Sequence, residues 1–245
     1  MELWGEHDGH VILDYGCGPG NDLAGFLAHT GAAKVIGIDI SEKALELARS
    51  RLALHGVMPE RVELIQINDS RPGIPLADAS VDFIYCEGVL HHTSNPEEIL
   101  RDFHRVLKPS GVADIMVYNR NSLWPHLYTA YVKMVRDNAF PGLTLDEAFQ
   151  RNTDGMHCPI SRCYAPDAFL SMATRAGFRG EYRGGYLSKQ ELAMLAEYGD
   201  EALQDERLAS IHREFLAALT RDENGYPMYE GKPAGIGGVY WLRRS

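Results

Sequence analysis

The sequence has few cysteines and no long apolar run. Four cysteines in a chain of 245 residues do not form the disulfide framework of a small secreted protein. No segment approaches the roughly 18 consecutive apolar residues that a membrane-spanning helix needs. The first ten residues, MELWGEHDGH, lack the charged-then-apolar order of a secretion signal. We therefore expect a reduced, cytoplasmic protein without a membrane span.

Positive charge is also scarce. Lys and Arg number 24 against 34 for Asp and Glu, which gives a net charge of −10. Because basic side chains supply most of the affinity of proteins for nucleic acids, this balance disfavours a nucleic-acid partner. The sequence shows neither an internal repeat nor a low-complexity segment. Its length and its hydrophobic content of 45% predict one globular domain with insertions.

A glycine-rich loop follows the first predicted strand. The apolar letters VILDY predict a buried strand over Val11–Tyr15, and apolar residues at helical spacing predict a helix over Asn21–His29. Between them glycine recurs at every second position, at Gly16, Gly18 and Gly20. Open α/β sheets bind ligands at such strand-to-helix loops. A tight turn without a ligand is the plainer alternative.

An acidic residue ends the second predicted strand, Val35–Asp39. The alternation of strands and helices predicts a parallel sheet, in which the carboxyl ends of neighbouring strands meet at one edge. A carboxylate at that edge accepts hydrogen bonds from ribose hydroxyls. Asp39 therefore predicts a nucleoside site, the alternative being an acid that merely precedes a helix capped by Ser41.

The loop spacing distinguishes between nucleosides. A dinucleotide site requires G-x-G-x-x-G, whereas this chain has G-x-G-x-G. Asp14 lies two residues before the first glycine, where it would repel a phosphate but attract a ligand that carries an ammonium group. Cys17, within the loop, is either a thiol of low pKa at a helix N-terminus or a small filler.

These features resemble the first motif of the class I S-adenosylmethionine-dependent methyltransferases. The resemblance covers most of Val11 to Arg120 and includes Asp39, the loop Asn68-Asp69-Ser70 and the segment VDFIYCEGVLHHTSNPEEILRDFHRVLKPSG. It implies a doubly wound, mostly parallel seven-stranded sheet, Rossmann-like, with S-adenosylmethionine as cofactor. We expect a single methyltransferase domain over residues 1–245, with helical insertions at about 119–164 and 187–235.

The resemblance also assigns roles at the cofactor. Asp14 would lie beside the ammonium end, Asp39 would hold the ribose, and Ile40 would pack on the adenine. Asp69 would receive the adenine amino group, with Asn68 or Ser70 as alternatives, and Tyr15 would either face the sulfonium or belong to the core. The predicted cofactor residues are Asp14, Tyr15, Gly16, Gly18, Asp39, Ile40, Asn68, Asp69, Ser70 and Glu87.

Three candidate catalytic residues follow the fourth predicted strand, Val81–Tyr85: His92, His91 and Glu87. A histidine there would remove a proton from an acceptor, because its pKa lies near neutrality. The alternative is that one histidine packs in the core and the other orders the turn before Asn95. The predicted acceptor-binding residues are Tyr118, Arg120, Trp124, Tyr128, His157 and Tyr164.

The first insertion raises two further questions. Relatives usually carry helices ahead of the first strand, whereas ten residues precede Val11 here, so the chain is either trimmed or closed by another segment. We expect residues 119–164 to form that lid, or a second subunit of a homodimer to cover the site.

No metal site is predicted, since His157, Cys158 and Cys163 lack a fourth ligand and paired spacing.

Several elements have clear boundaries in the sequence. Pro96 after Asn95 begins a helix, and Lys108, Pro109 and Gly111 predict its end before a strand over 112–118. Strands are predicted near 181–186 and 238–243, as a final antiparallel pair. Between them, Ser188 and Glu191 form a predicted capping box, and a second helix would bury the stripe Leu208, Ile211, Phe215 and Leu219.

The sequence thus predicts a methyltransferase that acts on a small molecule, at a hydroxyl oxygen rather than at nitrogen or carbon. The rival interpretation is a catalytically inactive partner or sensor module that binds S-adenosylmethionine. A nicotinamide-dependent oxidoreductase is a third alternative.

Overall fold

The computed structural model describes residues 5–68 and 73–245. The strands are β1 (Val11–Tyr15), β2 (Lys34–Asp39), β3 (Val62–Gln66), β4 (Val81–Glu87), β5 (Leu107–Tyr118), β6 (Phe178–Tyr186), β7 (Thr220–Arg221), β8 (Pro227–Tyr229), β9 (Lys232–Pro233) and β10 (Gly237–Arg244). The α-helices are α1 (Asn21–His29), α2 (Glu42–Leu54), α3 (Pro96–Val106), α4 (Leu145–Thr153), α5 (Pro166–Arg175), α6 (Lys189–Gln204) and α7 (Ser210–Ala217). Pro59–Arg61 and Leu90–His92 are 3₁₀ turns, and Trp124–Arg136 is a π-helix.

Seven strands form one sheet in the order β3-β2-β1-β4-β5-β10-β6. Strand β1 pairs in parallel with both β2 and β4, and β2 and β4 pair in parallel with β3 and β5. The strand order therefore reverses at β1, where the ligand crevice of a doubly wound sheet opens. This topology confirms the predicted Rossmann-like fold.

The first strand and helix have the predicted bounds. Four of the five residues of β1 are buried, and α1 buries Leu23, Phe26 and Leu27 at helical spacing. Gly20 precedes α1 with a φ of 79°, a left-handed conformation that favours glycine. The side chain of Ser41 accepts a hydrogen bond from the Ala44 N–H and caps α2, as predicted.

The chain groups into two compact units. The first runs as far as Met116 and adds Leu170–Glu181 and Tyr240–Ser245; its core lies between the sheet and α1 and α2. The second comprises Val117–Phe169 and Tyr182–Val239, stretches that contain both predicted insertions. Its own core packs the π-helix against α6 and α7.

Strand β5 starts earlier than predicted. It begins at Leu107, so Lys108, Pro109 and Gly111 lie in the strand and not in a turn. The pairing with β4 shifts between Val81↔Leu107 and Phe83↔Val112, which leaves the intervening residues of β5 in a bulge. A bulge accommodates a proline because no ladder hydrogen bond is required there.

The second unit agrees with the prediction in part. Ser188 and Glu191 form the expected capping box at the start of α6, and β10 and β6 are neighbours in the sheet. Ile211, however, is 63% exposed and does not belong to a buried stripe. The small sheet β7-β8-β9 was not predicted, because its strands are two or three residues long.

Glu191 is buried and fully engaged. Its Oε2 accepts hydrogen bonds from the backbone N–H and the hydroxyl of Ser188, each at 2.9 Å, and its Oε1 accepts from the Ile236 N–H at 2.9 Å. Burial raises the pKa of this carboxyl to about 7, although all three hydrogen bonds oppose that rise. The residue thereby joins the start of α6 to the approach of β10.

Among the described residues, no helix combines the length and the apolar character needed to cross a bilayer.

Candidate cofactor and active site

The glycine loop is hydrogen-bonded to the end of strand β2. The backbone N–H groups of Gly16 and Cys17 both donate to the carbonyl of Ile38, at 2.7 and 3.0 Å. Gly16 has a φ of +81°, and a Cβ on it would lie 2.2 Å from the Val89 side chain. Gly18 has a φ of +52°, but nothing lies within 4 Å of the position of its Cβ. The loop therefore presents bare backbone to open space at Gly18.

Asp39 fastens this loop to the next helix. Its Oδ2 accepts a hydrogen bond from the Gly18 N–H at 2.9 Å, and its Oδ1 accepts from the Ser41 N–H at 2.8 Å. An ionised carboxylate offers about four acceptor positions, so two stay available for ribose hydroxyls. The predicted ribose contact and its alternative, a structural contact at the start of α2, are therefore compatible. The same carboxylate binds the Ser41 N–H and keeps acceptor positions for a ligand.

Asp14 is a buried acid with an unsatisfied oxygen. The residue is 2% exposed, and its Oδ2 has no hydrogen-bond partner among the described residues. Burial first, and then the charges of Asp22, Asp39 and Glu87, raise the pKa of Asp14 well above its usual range. An ionised carboxylate in such a position is costly without a cation. The site is therefore complementary to a positively charged ligand.

The acidic groups around Asp14 add to the negative charge of the site. Glu87, half-buried at the end of β4, accepts a hydrogen bond from the Tyr85 hydroxyl. Burial and the charge of Glu87 also raise the pKa of Asp22, in the first turn of α1. Carboxylates thus converge on the glycine loop from β1, β2, β4 and α1.

Two residues of the glycine-loop region belong to the core. Tyr15 is 4% exposed and packs edge-to-face on Phe103 at 5.0 Å between ring centroids. This packing favours the alternative that Tyr15 belongs to the core, and a role of its ring toward the cofactor stays a prediction. Cys17 is 6% exposed, and burial followed by the charges of Asp14 and Asp39 raises the pKa of its thiol far above the usual value. This cysteine is a small filler and not a reactive thiolate.

The two adjacent histidines differ in burial. His91 has no exposed surface, and burial followed by the charge of His92 lowers its pKa to about 2. It is thus neutral and buried, which favours the alternative that this histidine packs in the core, and its catalytic assignment stays a prediction. His92 is half-buried, and its ring centroid lies 4.1 Å from that of His91. Of the two, His92 is the more accessible, and its role in proton transfer stays a prediction.

The adenine side is described in part. Ile40 is 58% exposed directly after Asp39, which suits a side chain that packs on a base. Asn68 is exposed. Asp69 and Ser70, the other predicted residues of this loop, lie outside the described residues.

The predicted acceptor residues all belong to the second unit. There the hydroxyl of Tyr118 donates to Asp154 at 2.7 Å, and the indole N–H of Trp124 donates to Thr153 Oγ1 at 3.0 Å. Both contacts hold the end of α4. Their role toward an acceptor stays a prediction.

The remaining predicted acceptor residues also have neighbours in this unit. Arg120 pairs with Asp146 on α4. The ring of Tyr128 lies 4.6 Å from that of Trp124. Tyr164 is half-buried, whereas His157 is exposed.

Tyr85 was not predicted as a residue of the site, because in the sequence it resembles any other buried residue of a strand. Tyr85 and Glu87 stand two positions apart, so their side chains share one face of β4. That spacing is the signal that a tyrosine hydroxyl lies within reach of the acid.

Residues 13–114 match the methyltransferase domain family. Over this region the chain is similar to S-adenosylmethionine-dependent methyltransferases, as its motifs predicted, and the cofactor of those enzymes is S-adenosylmethionine.

Three similar proteins illustrate the extent of the match. A ubiquinone biosynthesis O-methyltransferase of Neisseria meningitidis is 36% identical over 120 residues, which cover 46% of this chain and 49% of the relative. A 24-methylenesterol C-methyltransferase 2 of Oryza sativa is 32% identical over 139 residues, 55% of this chain and 37% of that one. The solved structure of the YcgJ protein of Bacillus subtilis superposes with a TM-score of 0.61 at 17% identity and covers 100% of this chain and 96% of that one.

The chain spans about half or less of the length of these curated relatives. The solved structure confirms the fold alone.

The residues present fit S-adenosylmethionine. The Asp14 oxygen, unpaired within the described part of the chain, suits an ammonium group, and the open space at Gly18 suits close approach of a ligand to the backbone. Asp39 retains acceptor positions for a ribose, and the exposed Ile40 stands beside it. This edge of the sheet lacks the spacing that would cradle a pyrophosphate.

Proposed function

We propose that the protein transfers a methyl group from S-adenosylmethionine to a small-molecule acceptor. The observation that carries the proposal is the buried Asp14 oxygen, which has no partner in residues 5–68 and 73–245, beside a glycine loop with open space at Gly18. A cationic nucleoside would satisfy the first and occupy the second. A nicotinamide dinucleotide would bring phosphates toward a group of carboxylates.

The chain's contribution to the reaction is positioning. The bound cofactor supplies the activated methyl group, and the protein holds donor and acceptor in line. Asp39 would fix the ribose through its free acceptor positions. Asp14 would orient the ammonium end, while Gly16 and Gly18 allow the backbone to approach the cofactor.

We infer a hydroxyl oxygen as the methylated atom and His92 as the group that takes its proton. The similarity to the Neisseria O-methyltransferase supports this inference within the shared region. The plant relative is named a C-methyltransferase, so the choice of atom requires its own test. His91 would act only as a neutral ring packed against His92.

The acceptor side rests on the sequence predictions. Tyr118, Arg120, Trp124, Tyr128, His157 and Tyr164 are the proposed acceptor residues. The proposed partner is the small molecule itself, with no nucleic acid, and a homodimer remains a further proposal.

Calorimetry tests the cofactor first. We expect S-adenosylmethionine and S-adenosylhomocysteine to bind, and NADH not to bind, at equal concentrations. Binding of NADH alone would overturn the proposal and favour an oxidoreductase.

Turnover is the second test, with S-adenosylhomocysteine as the measured product. Matched acceptors that differ only in the nucleophilic atom, such as a phenol, an aniline and a thiophenol with the same ring substituents, identify the atom. We expect product with the phenol and a large loss of it in His92→Ala. Cofactor binding without turnover on any acceptor would instead support the sensor module.

A further inference from the structure

A cavity opens within the second unit, between α6, α7 and the small sheet β7-β8-β9. Its volume is about 170 Å³, and a cavity of this size holds an apolar group about as large as benzene. Four leucines line it: Leu195 and Leu203 of α6, Leu216 of α7 and Leu219. Three of them also belong to the core of this unit, so the apolar lining of the cavity is continuous with that core.

The cavity wall includes a glycine in the interior of α6, Gly199. Glycine is less favourable than alanine inside a helix, so its presence there needs a reason. Close packing of another element does not supply one. Outside its own helix, no atom of the described chain lies within 4 Å of a Cβ built on Gly199, and the nearest atom is Cδ1 of Leu195 at 3.1 Å. The absent side chain therefore leaves Leu195 in the position where it lines the cavity.

Two opposite charges complete the lining. Asp200 of α6 and Arg221 of β7 both border the cavity, and both are exposed. Within the part of the chain that the structure describes, they form no ion pair with each other. Nη1 of Arg221 donates to the Gly225 carbonyl at 2.7 Å, and the other N–H groups of the guanidinium stay available. A cavity that is apolar inside and bordered by one charge of each sign is complementary to a zwitterion with an apolar side chain.

We propose that this cavity binds an apolar α-amino acid of about the size of leucine. The ligand's carboxylate pairs with Arg221, its ammonium group pairs with Asp200, and its side chain packs among the leucines. A ligand with only one charge leaves the opposite residue without a partner. None of the predicted cofactor and acceptor residues lines the cavity, so the inference goes beyond the proposed function and does not depend on it.

The test titrates four ligands into the full chain, with ¹³C-labelled leucine methyl groups observed by NMR. L-leucine has both charges and the branched side chain. 4-Methylpentanoate lacks the ammonium group, 3-methylbutylamine lacks the carboxylate, and glycine lacks the side chain. We expect L-leucine to shift the methyl resonances of Leu195, Leu216 and Leu219. Because each charge pair is partly exposed, either singly charged analogue should bind about three- to tenfold more weakly. Glycine should shift none of these resonances.

Two substitutions identify the partner of each charge. Asp200→Asn should bind L-leucine and 4-methylpentanoate with affinities within about twofold of each other, because the ammonium group no longer has a carboxylate to pair with. Arg221→Gln should likewise make L-leucine and 3-methylbutylamine equivalent. Glu206→Gln and Lys189→Gln are the matched controls, since both residues are exposed and neither lines the cavity. They should keep the affinities of the wild type.

Gly199→Ala tests the shape of the cavity. The added methyl group crowds Leu195, which should weaken L-leucine binding by about tenfold or more. The methyl resonances of Leu123 and Leu127 report on folding, because these residues belong to the same core but do not line the cavity. Their positions should not change.

Three results would overturn the inference. The first is that none of the four ligands shifts the resonances of the lining leucines at about 20 mM. The second is that wild-type protein binds L-leucine and both singly charged analogues equally, since the cavity would then recognise the side chain alone. The third is that Asp200→Asn and Arg221→Gln preserve the wild-type preference for L-leucine. Binding of S-adenosylhomocysteine, measured separately, decides the proposed function in each case.

Discussion

The Asp39 carboxylate accepts a hydrogen bond from the Gly18 N–H at 2.9 Å, although 21 positions separate the two residues in the chain. The contact joins the carboxyl ends of β1 and β2 at the point where the strand order reverses. Its second oxygen holds the Ser41 N–H at the start of α2. One side chain therefore shapes the ligand edge and stabilises the helix that follows.

Asp39→Asn should weaken cofactor binding and also remove one of the two backbone contacts, because its amide nitrogen cannot accept a hydrogen bond. The amide keeps one acceptor oxygen but loses the charge and half of the acceptor capacity that a ribose requires. We expect the affinity for S-adenosylhomocysteine to fall about tenfold, or ~1.4 kcal/mol, by calorimetry. Asp82→Asn is the control, because Asp82 braces Val11 and Lys108 at the start of β1 and β5. It should lower stability without changing affinity, and an equal affinity loss there would contradict the assignment.

The glycine loop allows a comparison of two similar glycines. Gly18 and Gly56 both have positive φ, and nothing lies within 4 Å of either Cβ position. Alanine at each should therefore lower the free energy of unfolding by about 1–2 kcal/mol, the cost of the left-handed conformation. Only Gly18→Ala should also abolish cofactor binding, because the new methyl group would occupy the ligand's space. Chemical denaturation and calorimetry measure the two effects, and normal binding by Gly18→Ala would show that no ligand approaches there.

Asp14 should make the ligand-free protein less stable as the pH rises. Burial and the neighbouring acids raise the pKa of Asp14 in the folded state, so the folded protein retains a proton that the unfolded chain releases. Stability is then lost as the pH rises above the usual range of an aspartate toward the raised value. Asp14→Asn cannot ionise, so its Tm should exceed that of the wild type at pH 8 by more than at pH 5, while cofactor affinity falls. Glu60→Gln, at an exposed position, should show no such difference, and a lower Tm for Asp14→Asn at pH 8 would refute the argument.

His91 should make the protein less stable as the pH falls, which is the opposite of the effect of Asp14. Its pKa falls from an ordinary 6.5 to about 2 because it is buried, so the unfolded chain takes up a proton that the folded protein excludes. Stability is fully present above pH 6.5 and declines as the pH falls below it, by up to about 1.4 kcal/mol per pH unit. His91→Gln should reduce the loss of Tm between pH 7 and pH 5. The exposed His55→Gln serves as the control, and an unchanged slope in His91→Gln would show that another group dominates.

The sequence predicted most accurately where a motif and a packing pattern coincide. Val11–Tyr15 and Asn21–His29 have the predicted bounds, because a buried strand, a glycine loop and an amphipathic helix each restrict the same short segment. Pro109 and Gly111 misled the prediction for β5, because a bulge accommodates residues that otherwise end an element. The pairing that creates this bulge lies in another strand, so the local sequence does not reveal it.

The candidate site was predicted by residue type but not by environment. Asp14 and Asp39 were found because acids at strand ends are few, and their types define the chemistry. Tyr15 and His91 resemble ligand-binding residues in the sequence, yet the structure buries both, Tyr15 against Phe103, which the sequence does not reveal. The support that Tyr85 gives to Glu87 depends on side-chain reach, which letters alone do not express.

The buried carboxyl of Glu191 has a practical consequence for mutagenesis. It accepts three hydrogen bonds, from the residue before α6 and from the residue before β10. Removal of the carboxyl would therefore break the contacts of both segments at once. A variant destabilised at one of these residues would lose activity in an enzyme assay even if the substituted residue contacts no ligand. Inactive substitutions around Ser188 and Ile236 should accordingly be interpreted as folding lesions until their thermal melts match that of the parent protein.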